Sequence, residues 1–267
     1  GLINLDKIDA TNGNDVTLNA LGGAITREVP LIGDFNVRAN LLTATAAGAI
    51  TLDTEVNTLD ADATVAGDIV INNVAGINAP LLVSQARTFD GLIQIDTDGD
   101  LTVRSAQSLN STADNNITLR TRELFGGHIV VDDINAGAAG DVYLEAGSFT
   151  PDGGGLPTSG GTIVSDSGTT NRVVARELIA LSRGYPAYPE TLGIDLRTEV
   201  DQIIARTFAG GDSRFTDARV DIRIDELDSV LLRRAQTVFG DIIVTAGGDI
   251  THQAVRAPNR DIYLTSA

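Results

Sequence analysis

Apolar residues recur two apart in short runs along the chain: Ile3/Leu5, Val16/Leu18, Ile50/Leu52, Ile69/Ile71, Ile93/Ile95, Leu101/Val103, Ile117/Leu119, Ile129/Val131 and Val142/Leu144. Each run is entered or left through Gly, Asp or Asn. A period of two marks a strand with one buried face, and the intervening residues mark turns. The segment RVVARELIALS (172–182) contains many helix-forming residues. Its counterpart NVRANLLTAT (36–45) is too rich in Thr and Asn for a helix, so both are expected to be strands.

The pattern is duplicated. GLINLDKIDATNGNDVTLNA (1–20) returns as GHIVVDDINAGAAGDVYLEA (127–146) with nine identities in twenty ungapped positions. LDTEVNTLDA (52–61) returns as LRTEVDQIIA (196–205), QARTFDGLIQIDTDGDLT (85–102) as RAQTVFGDIIVTAGGDIT (234–251), and NITL (116–119) as DIYL (261–264). The chain therefore reads as two superrepeats, 1–126 and 127–267. Copy two carries loop insertions within 147–193, where glycines and prolines cluster. Gly127 follows copy one without a linker, Ala267 stops where another such start would fit, and the chain has no methionine. It is expected to be a processed or excised piece of a longer array.

Two or three short strands per turn give coils of roughly 20 to 26 residues, the size of solenoid repeats. The expected fold is all-β: a right-handed parallel β-helix, or β-solenoid, of about ten to twelve coils and on the order of 50 Å in length. Tandem antiparallel β-sandwiches are the alternative, since each copy has the length of one such domain.

Composition fits narrow stacked layers. Aromatics are 4 % of residues, Trp and Cys are absent, and Ile, Val, Leu and Ala supply the apolar content. The formal charge of -17 opposes binding to nucleic acid or to anionic membrane surfaces. No run reaches the length of a membrane span. Zero Cys removes disulfides, thiolate metal sites and cysteine nucleophiles. Eighteen arginines stand beside a single lysine, Lys7.

Candidate chemistry is sparse. DTDGD supplies Asp96, Asp98 and Asp100 as a candidate calcium site, because closely spaced carboxylates suit a hard cation; the downstream Glu of an EF-hand is missing. Tyr185 and Tyr188, spaced by prolines, are candidates for an exposed contact loop. Asp60/Asp62 and Asp132/Asp133 are paired carboxylates of the kind glycan-cleaving sites use. His128 and His252 do not recur in the partner copy, where Leu2 and Val103 stand, so neither is expected to be catalytic. Thr54-Glu55-Val56 and Thr198-Glu199-Val200 recur at a fixed place and are expected to make a turn or an intercoil hydrogen bond. GxSxG, HExxH and phosphate-loop motifs are absent.

The stretches GAITLDTEVNTLDADATVAGDIVINN (48–73), GDIIVTAGGDITHQAV (240–255) and GNDVTLNALGGAIT (13–26) resemble the repeats of filamentous-haemagglutinin-like exoproteins, which are giant bacterial surface proteins. That resemblance implies a parallel β-helix, export through a partner outer-membrane barrel, and work as an extracellular adhesin or filament at the cell surface. No enzyme activity or cofactor is expected, calcium at Asp96, Asp98 and Asp100 apart. Expected partners are further copies of the repeat, in covalent continuation or head to tail, and a surface glycan or cell-surface receptor. A carbohydrate-binding or carbohydrate-cleaving β-helix is the alternative.

Overall fold

A computed structural model describes residues 1–10, 13–28, 35–74, 79–110, 114–122, 127–147, 161–168, 171–182, 191–208, 220–258 and 260–267. The described residues form 22 strands in one hydrogen-bonded network, with no helix. Pairing is parallel throughout, between strands separated by one coil of chain; none of the antiparallel hairpins that sandwiches require occurs among the described residues. The protein is a parallel β-solenoid. Among the described residues no helix is long and apolar enough to cross a membrane.

Register partners define two columns that run the length of the rod. The first passes through Ile3, Ile25, Ile50, Ile69, Ile93, Ile117, Val142, Leu178, Ile203, Leu232 and His252. The second passes through Val16, Leu42, Leu59, Val83, Val103, Val131, Ser165, with Leu196 next above it, and then Ile224, Val244 and Leu264. Each column has eleven levels, within the expected ten to twelve. At about 4.8 Å per coil the rod is on the order of 50 Å long.

The inward positions are what the apolar pairs foretold. Ile50, Ile69, Ile93 and Ile117 stack directly upon one another with no exposed surface, and Leu52, Ile71, Ile95 and Leu119 do the same two residues on. Burying each such side chain contributes roughly 1.5–3 kcal/mol. β-Branched residues dominate because a narrow parallel stack needs side chains that fill a pleat without reaching across it. The segment 172–182 is indeed a strand, β15 (Val173–Ser182), bent after Ala175 so that Val173 and Leu178 serve different columns.

The duplication does not map a column onto itself. Ile3 lies in the first column and its counterpart Ile129 in the second; Val16 lies in the second and its counterpart Val142 in the first. The same exchange relates Ile50 to Ile194, Leu59 to Ile203, Ile93 to Ile242, Leu101 to Ile250 and Ile117 to Ile262. One sequence repeat therefore spans five coils and a half, and two repeats span the eleven levels. Coil length varies, from Leu42↔Leu59 to Val142↔Leu178, yet the half-coil offset persists through every matched segment.

Candidate functional site

The densest polar constellation lies on the outer face of the first column, across copy one and the start of copy two. Its strands are β6 (Ile50–Ala63), β7 (Ile69–Asn73), β9 (Ile93–Thr97), β11 (Ile117–Thr121) and β13 (Asp141–Ala146). Alternation points Asp53, Asn72, Asp96, Arg120 and Glu145 outward at one register position, each above the next. Asp53 accepts from Arg27 and from Asn72 Nδ2 at 3.2 Å. Asp96 accepts from Arg120 Nε at 2.6 Å and Nη2 at 3.0 Å, from Arg122 Nη2 at 2.6 Å and from Gln94 Nε2 at 2.8 Å. Its side chain is only 3 % exposed beneath these partners. Tyr143 Oη donates to Glu145 at 2.9 Å.

This arrangement holds the coils together and presents no free reagent at Asp96. Of the candidate calcium ligands, Asp96 faces Arg120 and Arg122, and Asp100 accepts the His128 backbone N–H at 2.8 Å. Burial pushes the Asp98 carboxyl above its ordinary range, with Arg122 opposing. No cluster of three or more metal-competent side chains occurs among the described residues. The other paired carboxylates are also divided between neighbours. Asp62 binds Arg87 through Nε at 3.1 Å and Nη2 at 2.5 Å, Asp133 accepts from Gln107, and Asp132 accepts from Asn171 at 3.1 Å. Tyr185 and Tyr188 lie outside the described residues.

Four of the arginines fork onto carboxylates. Arg38 opposite Glu55, Arg87 opposite Asp62 and Arg120 opposite Asp96 are direct register partners on adjacent coils, and each guanidinium donates to its carboxylate through two nitrogens. Arg176 grips Asp141 in the same way at 2.9 and 2.6 Å. A planar fork matches a carboxylate one coil away; an ammonium offers no such pair of parallel donors. Hydrogen bonding to Asp62, Asp96 and Asp141 raises the pKa of Arg87, Arg120 and Arg176 above its ordinary value. The partly exposed pairs Arg38–Glu55 and Arg87–Asp62 each contribute roughly 0.2–1 kcal/mol, whereas the Asp96 carboxylate is buried beneath its arginines.

Inward polar residues close the corners. Thr54, Asn73, Thr97 and Thr121 stack at one register position, all buried. Hydroxyls, that of Thr121 among them, bond glycine carbonyls at the turns: Thr88 to Gly67 at 2.8 Å, Ser108 to Gly91 at 3.1 Å, Thr121 to Gly127 at 2.7 Å and Ser182 to Gly161 at 2.7 Å. A buried carbonyl needs such a donor. A Ser or Thr ending a strand before a glycine-bearing turn is the sequence signal for this device, and it is too common to be recognised without the fold.

The repeated Thr-Glu-Val makes the expected intercoil bond. Thr54 Oγ1 donates to Asn73 Oδ1 at 2.9 Å, and Asn73 Oδ1 also accepts the Val56 N–H at 3.0 Å. In copy two the partner is Glu226: Thr198 Oγ1 donates to its Oε2 at 2.8 Å, and the Val200 and Asp228 N–H groups point to the same carboxylate. Glu226 is 2 % exposed, and burial raises its pKa against those hydrogen bonds. His128 Nδ1 sits 2.9 Å from Thr162 Oγ1, and His252 takes an inward position of the last level, in register with buried Leu232. No family model, curated protein or solved structure matches the chain.

Proposed function

We propose that the chain is a non-enzymatic structural or adhesive segment, a rod of an extracellular bacterial filament of the filamentous-haemagglutinin-like kind. One observation carries this reading: the positions that the duplication repeats are engaged in coil-on-coil contact. Repeated apolar residues fill the columns, the repeated Thr of Thr-Glu-Val bonds the next coil, and carboxylates face arginines from adjacent coils. An enzyme site needs a nucleophile, acid or base left available to a substrate, with neighbours that tune it. The densest polar cluster on this rod instead satisfies its own groups. A rigid, acidic rod suits a spacer that holds a contact loop away from a surface, and the insertions within 147–193 are the segment to test for binding to a glycan or receptor.

Electron microscopy of the native assembly, combined with glycan-array binding and glycan-cleavage assays on the isolated chain, tests the reading. Rods with an axial repeat near 4.8 Å and no cleavage are expected. Turnover of a polysaccharide by the isolated chain would overturn it in favour of a carbohydrate-cleaving β-helix.

A further inference from the structure

Apolar side chains line one outer corner of the rod as well as its core. Strands β6, β8 (Leu81–Thr88) and β10 (Leu101–Ser108) end in the second column on buried Ala63, Thr88 and Ser108, which stack in register. The ladder continues one step into the turn: the Phe89 N–H donates to the Ala63 carbonyl at 3.1 Å and the Leu109 N–H to the Thr88 carbonyl at 3.0 Å. Alternation turns Thr64, Phe89 and Leu109 outward at that step, with Val65 one residue further round. Val65 is 62 % exposed, Phe89 52 % and Leu109 53 %. They sit on the third, fourth and fifth levels, with coils above and below, so the corner itself sets their exposure. A single exposed apolar residue is ordinary; three on adjacent coils make a continuous ridge about 10 Å long.

Carboxylates flank this ridge. Asp68, Asp90 and Asp114 lie on the turns that leave it, just ahead of Ile69, Ile93 and Ile117, which stack in register. Asp68 and Asp114 are exposed and Asp90 is half-buried. On the strand side Asp60 and Asp62 face outward from β6, and the nearby base, Arg87, forks onto Asp62. The duplication keeps the outward step apolar. Phe89 returns as Val238, 36 % exposed, and Thr64 returns as Phe208, whose ring lies 4.5 Å from the Arg206 guanidinium. The half-coil offset moves these two to the opposite corner, where the first column ends.

We infer that the ridge of Val65, Phe89 and Leu109 docks a segment of another protein in which apolar side chains alternate with lysine or arginine. The apolar side chains cover the ridge, and the basic heads reach Asp68, Asp90 and Asp114 on one side and Asp60 on the other. Phe89 spends both its N–H and its carbonyl inside the rod, so side chains and not strand addition make the contact. Charge selects this occupant. A second copy would set aspartate rows against aspartate rows and carries the same net charge of -17, and an anionic lipid surface is repelled in the same way. The inference stands on the fold, independently of the filament reading, and adds a contact surface on the body of the rod to the loops within 147–193.

Fluorescence anisotropy of labelled synthetic peptides tests it on the full chain. One peptide alternates lysine with leucine, a second lysine with serine, and a third glutamate with leucine. The lysine–leucine peptide is expected to saturate and to bind about tenfold or more tighter than either of the others, the scale set by burying one apolar anchor. Phe89→Ser is expected to remove that advantage, and Leu227→Ser, an equally exposed apolar site on a distant level, to leave it. Asp68→Asn with Asp90→Asn is expected to weaken binding and flatten its salt dependence. Should Phe89→Ser alter the circular dichroism of the chain, Val65→Ser, at the most exposed of the three positions, takes its place. Equal affinity for the lysine–leucine and lysine–serine peptides, or an advantage that survives both ridge variants, would overturn the inference. So would self-association in sedimentation, or binding to anionic vesicles, that Phe89→Ser abolishes, since the ridge would then belong to a second copy or to a membrane.

Discussion

Copy one and copy two fold the same pattern onto opposite columns. In copy one the first column is made by short strands such as β7 and β9, and the second by the bent strands β8 (Leu81–Thr88) and β10, whose buried positions break phase in the middle. In copy two the second column is short, in β19 (Ile242–Ala246) and β22 (Ile262–Ser266), and the first is bent, in β15 and β18 (Val230–Gln236). A strand's length and its bend thus travel with the sequence, while its place around the rod depends on how many coils precede it. Local pattern sets the element, and the sum of coil lengths sets the face.

The comparison can be broken most forcibly in the core. Ile117 and Ile262 are equivalent residues, one fully buried and the other 43 % exposed. Ile117→Ala is expected to destabilise the chain by about 2–5 kcal/mol and Ile262→Ala by less than about 1 kcal/mol. Urea denaturation of the two variants checks this, and equal losses would show that the last level is covered as the interior is.

The polar ladder gives the next effect. Asp96 serves Arg120 and Arg122, whereas its counterpart Thr245 is an uncharged residue in register with Asp225. Asp96→Ala should cost about 1–3 kcal/mol, because it leaves two guanidiniums without their partner. Thr245→Ala should stay within about 0.5 kcal/mol. Thermal melts of both would sharpen the contrast between the two outer faces.

The smallest effect concerns Asn73 and Glu226, which bond the same repeated Thr and Val positions with a neutral and an ionisable group. The folded pKa of Glu226 is raised by burial, so its contribution is fully present below the unfolded pKa, near 4.3, and is lost as pH rises through the folded value. Glu226→Gln should therefore stabilise the protein by on the order of 1 kcal/mol at neutral pH. The gain should shrink on acidification, as melts at a series of pH values would reveal. Asn73→Asp should create the mirror-image sensitivity in copy one.

Much of this was legible in the residues. The pairs Ile50/Leu52 through Val142/Leu144 fall on buried strand positions, and the strand at 173–182 follows from comparing it with its Thr-rich counterpart. The half-coil offset was not legible, because coils vary in length and no residue marks where a turn is complete. Glu226 was hidden for a different reason: it matches Asn73 in the contacts it makes, not in the sequence around it. The Asp96 cluster looked like a cation site because Arg120 and Arg122 are distant in sequence, and only stacking sets them beside it. The arginine forks, likewise, needed the register before Arg38 and Glu55 could be seen as partners.

The half-coil offset is best tested by two engineered disulfides. Thr102 and Val130 are outward-facing register partners at the junction of the copies, whereas Thr118 pairs with Tyr143 in the other column. With no native cysteine to interfere, Thr102→Cys/Val130→Cys should close rapidly and reversibly within one chain, and Thr118→Cys/Val130→Cys should remain reduced. Closure of the second pair in place of the first would mean that the copies repeat after six whole coils on a single column, and would contradict the account.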